Sequence, residues 1–499
     1  MRAHHLVPAA LVVVALGAIG GLAQLGHPAA PAPVSSPAVT RQVLVTSAAR
    51  ACPPAPGGGA APVALLAGGA SAGTGQKGQV ELTALPPAGL PVRAGQGSGP
   101  VRAQSPGALS LLTLPAVAAA GPKHSPAAQG WSVVGGGAMA QGLEAELTRG
   151  SGLASVRCAE PGSDLWFLGP GQLNGGSQVE VDLMNVDSTA ASVDISVIND
   201  GGQVQAGGDN GITVPPHQTA TESLSSLAHG SSVLAIEVHT SIGRVAAGVS
   251  AESHGTTSWL PGTASPSTQL LIPGVPPSGS TAGLFVADPG TSTATVTVTA
   301  ITPQGHIRPF GSQSVDLPGQ SASYVALSPL GGTTAALQLT SNVPVVASVL
   351  VPGSGPGVLT SATAPISEQA IVAGNTSGGG MAASVALSAP GAAARVRLTE
   401  IAPAGRGAGN GTSVTASQVV PVKAGRTLAA PVTAPKGARP GSAFAVVITP
   451  LAGSGPVYAA RVETQDHSTV VSIIPAASAL TTISLPPVRD SYDAISSPG

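Results

Sequence analysis

The sequence has few charged and few aromatic residues. Of its 499 residues, 8% are Asp, Glu, Lys or Arg and 2% are Phe, Trp or Tyr, whereas 43% are hydrophobic. The net charge is -2 and Lys and Arg form no run, so the chain lacks the basic surface that nucleic-acid binding requires. This composition predicts no nucleic-acid partner and a surface made mainly of Ser, Thr, Gln, Asn and Gly.

Cysteine is scarce as well, since Cys52 and Cys158 are the two in the chain. A pair about a hundred residues apart suits one structural disulfide in an oxidising compartment. Closing so long a loop would stabilise the fold by about 4 kcal/mol. The alternative is two unrelated buried thiols.

An apolar run from Leu6 to Leu25 contains no charged residue and follows Arg2. About twenty helical residues span roughly 30 Å, the thickness of the hydrocarbon layer of a membrane. Residues 1–27 are therefore predicted to be a signal anchor that stays in the membrane, or a signal peptide that is removed. The first alternative predicts a single-pass membrane protein with an extracytoplasmic bulk, and the second a secreted protein.

Short alternating segments predict an all-β fold. Between Gly283 and Val351, about seven short apolar or alternating runs are separated by turn residues. The pattern recurs before and after this stretch, and Val193, Val296 and Val396 occupy equivalent places in the three copies. We predict tandem immunoglobulin-like β-sandwich domains. The predicted division is a Pro/Ala-rich tether over 28–40, a diverged β domain over 41–160, sandwich repeats over 161–265, 266–365 and 366–480, and a disordered tail over 481–499.

Several short motifs carry a resemblance to a known family. They are Cys52-Pro53, Cys158 followed by Trp166-Phe167, Trp259-Leu260-Pro261, and Pro273-Gly274-Val275. In this order they are similar to motifs of an actinobacterial domain-of-unknown-function family of secreted or membrane-anchored envelope proteins. The resemblance implies an envelope location and a β architecture. It implies no chemistry, because the family has no assigned activity.

One pattern is compatible with a catalytic nucleophile. Residues 69–73 match G-x-S-x-G, which would make Ser71 the nucleophile on a turn between a strand and a helix. Residues 74–78 are rich in Gly and do not predict the helix that this turn requires. A serine hydrolase is therefore the least favoured function.

The histidines and acidic residues predict no metal site. Three histidines share the first clear repeat without forming a close ligand pair: His229, His239 and His254. Three acidic residues stand at predicted turns, where Asp commonly bonds its own backbone: Asp187, Asp200 and Asp209. A calcium site would need several such carboxylates together. No catalytic residue, cofactor or metal is predicted.

Trp166, Phe167 and Trp259 lie at predicted domain borders. We predict that they pack at seams between domains, and the alternative is a platform that stacks on a sugar or binds a partner. The expected function is that of a non-enzymatic, membrane-anchored extracytoplasmic scaffold or protein-interaction protein of the bacterial cell envelope. Its expected partners are the membrane, through the N-terminal helix, and envelope proteins or wall polymer. The alternative is a module that binds cell-wall polysaccharide.

Overall fold

The computed structural model describes residues 41–485 with gaps, and strands form almost all of the regular structure. The gaps are 56–59, 69–77, 90–105, 116–128, 149–154, 172–177, 205–210, 229, 254–255, 278–281, 310–313, 329, 331, 353–356, 406–411 and 467–468. Within the described residues, no helix is both long and apolar enough to cross a membrane. The predicted anchor over 1–27 and the tether over 28–40 lie outside the described residues.

After strand β1 (Arg41–Leu44), the chain forms pairs of sheets that we call modules 1 to 4. The strands of module 1 are β2 (Ser47–Cys52), β3 (Ala61–Leu66), β4 (Gly78–Leu85), β5 (Leu109–Leu114), β6 (Gly130–Gly137), β7 (Glu144–Thr148) and β8 (Ser155–Arg157). One sheet has the order β2-β6-β4 and the other β5-β3-β7-β8. Both contribute to one core, which includes Val63, Leu82, Trp131 and Leu147.

Module 2 also consists of two sheets that share one core. Its elements are β9 (Asp164–Pro170), β10 (Gln178–Met184), β11 (Ala191–Asn199), β12 (Gly202–Val204), β13 (Ile212–Val214), β14 (Thr219–Ser223), α1 (Ser225–Ala228), β15 (Val233–Ile242), β16 (Ala246–Ser253), β17 (Thr256–Leu260) and β18 (Gly262–Thr263). One sheet has the order β14-β10-β16-β17, and the other β12-β11-β15-β9-β18 with β13 beside β11. Alternate residues of β11 point into the core, as the period of two requires.

In module 3 one long strand belongs to both sheets. The strands are β19 (Ser267–Val275), β20 (Ala282–Asp288), β21 (Ala294–Ile301), β22 (His306–Ile307), β23 (Val315–Leu317), β24 (Ser321–Leu327), β25 (Ala335–Val351) and β26 (Val358–Ser361). The first half of β25 pairs with β19 and β21, and its second half pairs with β20 and β26. The apolar runs at 337–339 and 345–349, with Pro344 between them, predict two strands, but the chain continues as one strand through Pro344.

Module 4 has two four-stranded sheets. Its strands are β27 (Ala370–Asn375), β28 (Met381–Ala389), β29 (Ala394–Pro403), β30 (Ser413–Val422), β31 (Arg426–Val432), β32 (Phe444–Pro450), β33 (Tyr458–Gln465) and β34 (Thr469–Pro475). The sheet orders are β27-β32-β29-β30 and β31-β28-β33-β34. The last described strand, β35 (Thr482–Leu485), pairs with β1 in a separate two-stranded sheet. The first residues of the predicted disordered tail are therefore ordered in a strand.

The all-β prediction is confirmed. Val193, Val296 and Val396 lie on β11, β21 and β29, and all three are fully buried. Four of the hydrophobic clusters centre on the four modules. Residues 44–483 nevertheless form one compact unit, so the domain boundaries and the immunoglobulin-like classification stay predictions.

Neighbouring modules bury the outer faces of their sheets against each other. Ala51 and Leu85 of module 1 form a cluster with Met184 of module 2. The core of module 2 also takes in Phe285 of module 3, and the core of module 3 takes in Ala460 of module 4. Each module is thus packed directly on the next.

Module 4 also packs on module 1, so the four modules close into a ring. Ala64 and Leu66 of β3 lie in one cluster with Ile371 and Ala373 of β27. The intervening residues of β3 face the core of module 1, and β3 is therefore buried on both sides. β3 can be buried on both sides because its sequence is apolar throughout. It lacks the alternation of polar and apolar residues that a half-exposed strand has.

Candidate functional site

A cavity of about 950 Å³ lies where the four modules meet. Every module contributes to its wall, which combines apolar and aromatic side chains with several Ser and Thr hydroxyls. Representative lining residues are Ser155 and Arg157 of module 1, Trp166 and Trp259 of module 2, Leu359 of module 3 and Ile473 of module 4. Within the described residues, the wall carries three charged side chains: Arg157, Glu160 and Asp164. Such a wall suits a largely uncharged ligand that carries hydrogen-bonding groups.

The three aromatic residues singled out from the sequence all line this cavity. Trp166 and Phe167 lie on β9 and are 4% and 5% exposed, and they also belong to the core of module 2. Trp259 on β17 is half-buried and packs against the core of module 1. The indole N–H of Trp166 is buried and has no hydrogen-bond partner among the described residues. Whether these residues bind a partner stays a prediction.

Cys52 and Cys158 form a disulfide. The bond joins the end of β2 to the residue after β8, and it closes a loop with a sequence separation of 106. A loop of that length corresponds to roughly 4 to 5 kcal/mol of stabilisation in the chain-entropy account. Immediately after the disulfide, Ala159 and Ala51 exchange backbone hydrogen bonds of 2.8 Å, which fixes the start of module 2.

The motifs behind the family resemblance lie at junctions between modules. A Cβ atom on Gly248 of module 2 would lie 2.8 Å from the Cβ of Pro53 in module 1. Gly274 of module 3 has a φ of 78°, and a Cβ there would lie 2.6 Å from the Cβ of Ala460 in module 4. The Thr360 hydroxyl donates a 2.9 Å hydrogen bond to the carbonyl of Pro273. At both junctions a glycine lets the backbone of one module approach a side chain of the neighbouring module.

Beside the cavity, Glu144 on β7 pairs with two arginines. Arg157 donates to it twice, at 2.8 and 2.6 Å, in a bidentate arrangement. The Arg50 Nε lies 3.7 Å from the same carboxylate, and the Arg50 Nη1 lies 3.3 Å from Glu160. Burial lowers the pKa of Arg157, but the neighbouring carboxylates, Glu144 above all, together more than offset this, so the pKa is raised. Arg157 therefore remains charged in the wall of the cavity.

A second buried ion cluster joins module 4 to module 1. The Arg461 guanidinium on β33 pairs with Glu146 on β7, and it donates to the Gly374 carbonyl at 3.0 Å and to the Ser472 hydroxyl at 2.7 Å. Glu463 lies 3.8 Å from the same guanidinium. Burial is the main cause that raises the pKa of Glu463, and Arg461 opposes it.

The sequence reasoning missed both clusters. The signal for Glu144 and Glu146 is the alternation of acidic and apolar residues over 144–147, which predicts a strand with one solvated face. In the structure that face is buried, and the two carboxylates are 1% and 2% exposed. The local pattern is correct for a strand, but it carries no information about what covers the strand.

Two of the three acidic residues at predicted turns, Asp187 and Asp200, have structural partners. Asp187 accepts two hydrogen bonds from Arg244, at 2.8 and 3.0 Å, and this pairing lowers the pKa of Asp187. Asp200 accepts from the backbone N–H and the hydroxyl of Ser232, at 3.0 and 2.7 Å. Ser71, His229, His254 and Asp209 lie outside the described residues, so the structure does not test a triad at Ser71 or a role for the other three.

The structure places His239 beside the carboxylates of Asp164 and Glu237. The sequence analysis did not group these three residues. The ligand atoms of Asp164, Glu237 and His239 all lie within 4.8 Å of one another, on the sheet that contains β9 and β15. Burial is the main cause that raises the pKa of Glu237, and the charge of Asp164 adds to it. These three residues are the group among the described residues that could hold a metal ion.

Comparison with known proteins gives one family match. The model of DUF5719, a family of unknown function, matches residues 117–433, which is more than half of the chain and includes modules 2 and 3. No curated protein and no solved structure matches the chain.

Proposed function

The chain belongs to the DUF5719 family of unknown function, and we propose that it is a non-enzymatic scaffold or protein-interaction protein of a bacterial, specifically actinobacterial, cell envelope. In this proposal residues 1–27 anchor the chain and the four modules lie outside the membrane. The Cys52–Cys158 disulfide supports an exported location, because such bonds persist in oxidising compartments.

The observation that carries the interaction role is an open sheet edge at β30. This strand pairs with β29 along all ten of its residues and is the last strand of its sheet. Residues 415–419 are exposed, and β30 contains no charged residue. Natural edge strands are usually protected from further pairing by Lys, Pro or a bulge. Pro421, near one end, is the only such device in β30, which leaves most of the edge open to a partner strand.

The ring supports a scaffold because it gives this edge a fixed position. Module 4 packs on module 3 through Ala460 and on module 1 through the Arg461 cluster. A module held on two sides presents its free edge in one orientation, so a partner strand pays less ordering entropy on binding.

The test is in-cell photo-crosslinking of the full chain. A photoreactive residue replaces Val419 on β30, and the matched control replaces Tyr324 on β24; both side chains are 45% exposed. We expect a discrete set of envelope proteins to be captured from position 419 and not from position 324. Capture should also be lost when Gln418 is replaced by Lys, because a charge on the edge opposes strand pairing. Capture of wall polymer alone, or of the same products from both positions, would contradict the proposal.

Binding of wall polysaccharide is the second candidate, and the cavity favours it. Trp259 in the wall is half-buried and offers a stacking surface, and the Ser and Thr hydroxyls offer hydrogen bonds. If this function is correct, the full chain is retained on purified cell wall and Trp259→Ala reduces retention. Equal retention of both proteins would exclude the cavity as the binding site. A serine hydrolase would instead lose a measurable activity on Ser71→Ala.

A further inference from the structure

Three metal-ligating side chains converge on the outer face of the second sheet of module 2. Asp164 on β9 and His239 on β15 are direct cross-strand partners. Glu237 precedes His239 by two residues, so its side chain points to the same face. This register, and not a sequence motif, brings the three ligand atoms within 4.8 Å of one another.

The charges of this cluster are not balanced by the protein. Within the described residues, Asp164 and Glu237 form no ion pair with Lys or Arg, whereas Glu144, Glu146 and Asp187 each pair with an arginine. Two carboxylates beside one imidazole provide a site of net negative charge. A divalent cation would supply the missing positive charge.

The neighbouring strand β11 places a polar residue beside two of the three ligands. Asp194 is the cross-strand partner of His239, and Ser196 is the cross-strand partner of Glu237. Asp194 is itself held by a 2.7 Å hydrogen bond from the backbone N–H of Gly211. Because β15 lies between β9 and β11, Asp164 and Asp194 stand on the two sides of His239. The cluster therefore combines an imidazole with carboxylates from three neighbouring strands.

We propose that Asp164, Glu237 and His239 bind one zinc ion. One imidazole nitrogen and two carboxylate oxygens are a ligand set that zinc accepts, and imidazole disfavours magnesium or calcium. Tetrahedral zinc holds its ligand atoms roughly 3.3 Å apart, so closure from the observed separations needs only side-chain rotation. Asp164 and His239 are exposed and free to rotate. Three protein ligands leave a coordination position for water or a ligand, and Asp164 also lines the central cavity.

The test measures metal binding by the full, untagged chain after removal of metal by a chelator. Zinc binding is followed by calorimetry, and cobalt, as a spectroscopic substitute, by its visible absorption. We expect one zinc per chain and a loss of at least tenfold in affinity for His239→Gln and for Glu237→Gln. His306→Gln is the matched control, because His306 is an exposed strand histidine outside the cluster.

Two results would overturn the proposal. One is equal zinc affinity of the wild type, His239→Gln and Glu237→Gln, which would place binding at other histidines. The other is no binding by a wild-type chain whose far-ultraviolet circular dichroism shows intact β structure. Using two ligand variants protects the test against a folding defect in either one.

Discussion

The Arg461 cluster allows a direct test of ring closure. Replacing Arg461 by Met keeps an unbranched side chain but removes the guanidinium that bonds Glu146, the Gly374 carbonyl and Ser472. Two buried carboxylates, Glu146 and Glu463, then lack their counter-charge. Removing one partner of a buried ion pair usually costs about 3 to 5 kcal/mol.

We expect Arg461→Met to lower the free energy of unfolding by about 3 to 5 kcal/mol and not by more. Glu146 keeps a 3.0 Å hydrogen bond from the Gly374 N–H, and Glu463 keeps two from Thr376, at 2.7 and 2.8 Å. These donors continue to stabilise the negative charges. Adding Glu146→Gln to Arg461→Met should restore part of the lost stability, because it removes one of the two uncompensated charges.

Urea unfolding followed by tryptophan fluorescence measures the loss, and hydrogen exchange locates it. We expect faster exchange in β7 and β27, the strands on the two sides of this junction. Arg244→Met is the matched control, because its pair with Asp187 is exposed, at 51% and 30%, and such pairs contribute about 0 to 1 kcal/mol. A loss for Arg461→Met no larger than that of the control would refute the reasoning.

Two further variants test the junctions between the other modules. Asp182 lies on β10 opposite Gly248, the residue that meets Pro53 of module 1, and Gly274 meets Ala460 of module 4. Burial raises the pKa of Asp182 to about 7, so the folded chain keeps a proton between pH 4 and 7 that the unfolded chain releases. The free energy of unfolding should fall by on the order of 4 kcal/mol as pH rises through that window, and Asp182→Asn should remove this fall. Urea unfolding at several pH values measures it. Identical pH profiles of the wild type and Asp182→Asn would contradict the prediction. Gly274→Ala places a Cβ 2.6 Å from that of Ala460, at a φ of 78°, and should cost at least about 2 kcal/mol from strain and crowding. Gly391→Ala, where a Cβ meets open space, serves as its control, and equal unfolding midpoints would contradict the close contact.

Local periodicity was sufficient to predict some strands of the repeats. Val and Thr alternate from Ala294 to Ile301 and turn residues follow, which predicts a strand with those bounds, and β21 has them. β19 was missed, since it contains Pro273 and Gly274, which predict a break. In the structure these two residues form a register irregularity, and the strand continues to Val275.

The ring could not be predicted, because its contacts join residues far apart in the sequence. Glu146 and Arg461 are separated by 315 residues, and nothing in either local pattern identifies the other. A weaker signal was present in β3, whose uninterrupted apolar run indicates burial on both faces. This apolar run indicates that the outer face of β3 is covered, but it does not identify module 4 as the part of the chain that covers it.

Ring closure also narrows where a partner can bind. Ala64, Phe285 and Ala460 each lie on a sheet face that a neighbouring module covers, so those faces are not available to another protein. The edge of β30 and the wall of the cavity are two described surfaces that no neighbouring module covers in this way. They suit different chemistry, since an edge binds an extended backbone and the cavity suits a compact ligand with hydrogen-bonding groups. Crosslinking at Val419 and wall retention of Trp259→Ala therefore test alternatives that the architecture keeps physically separate.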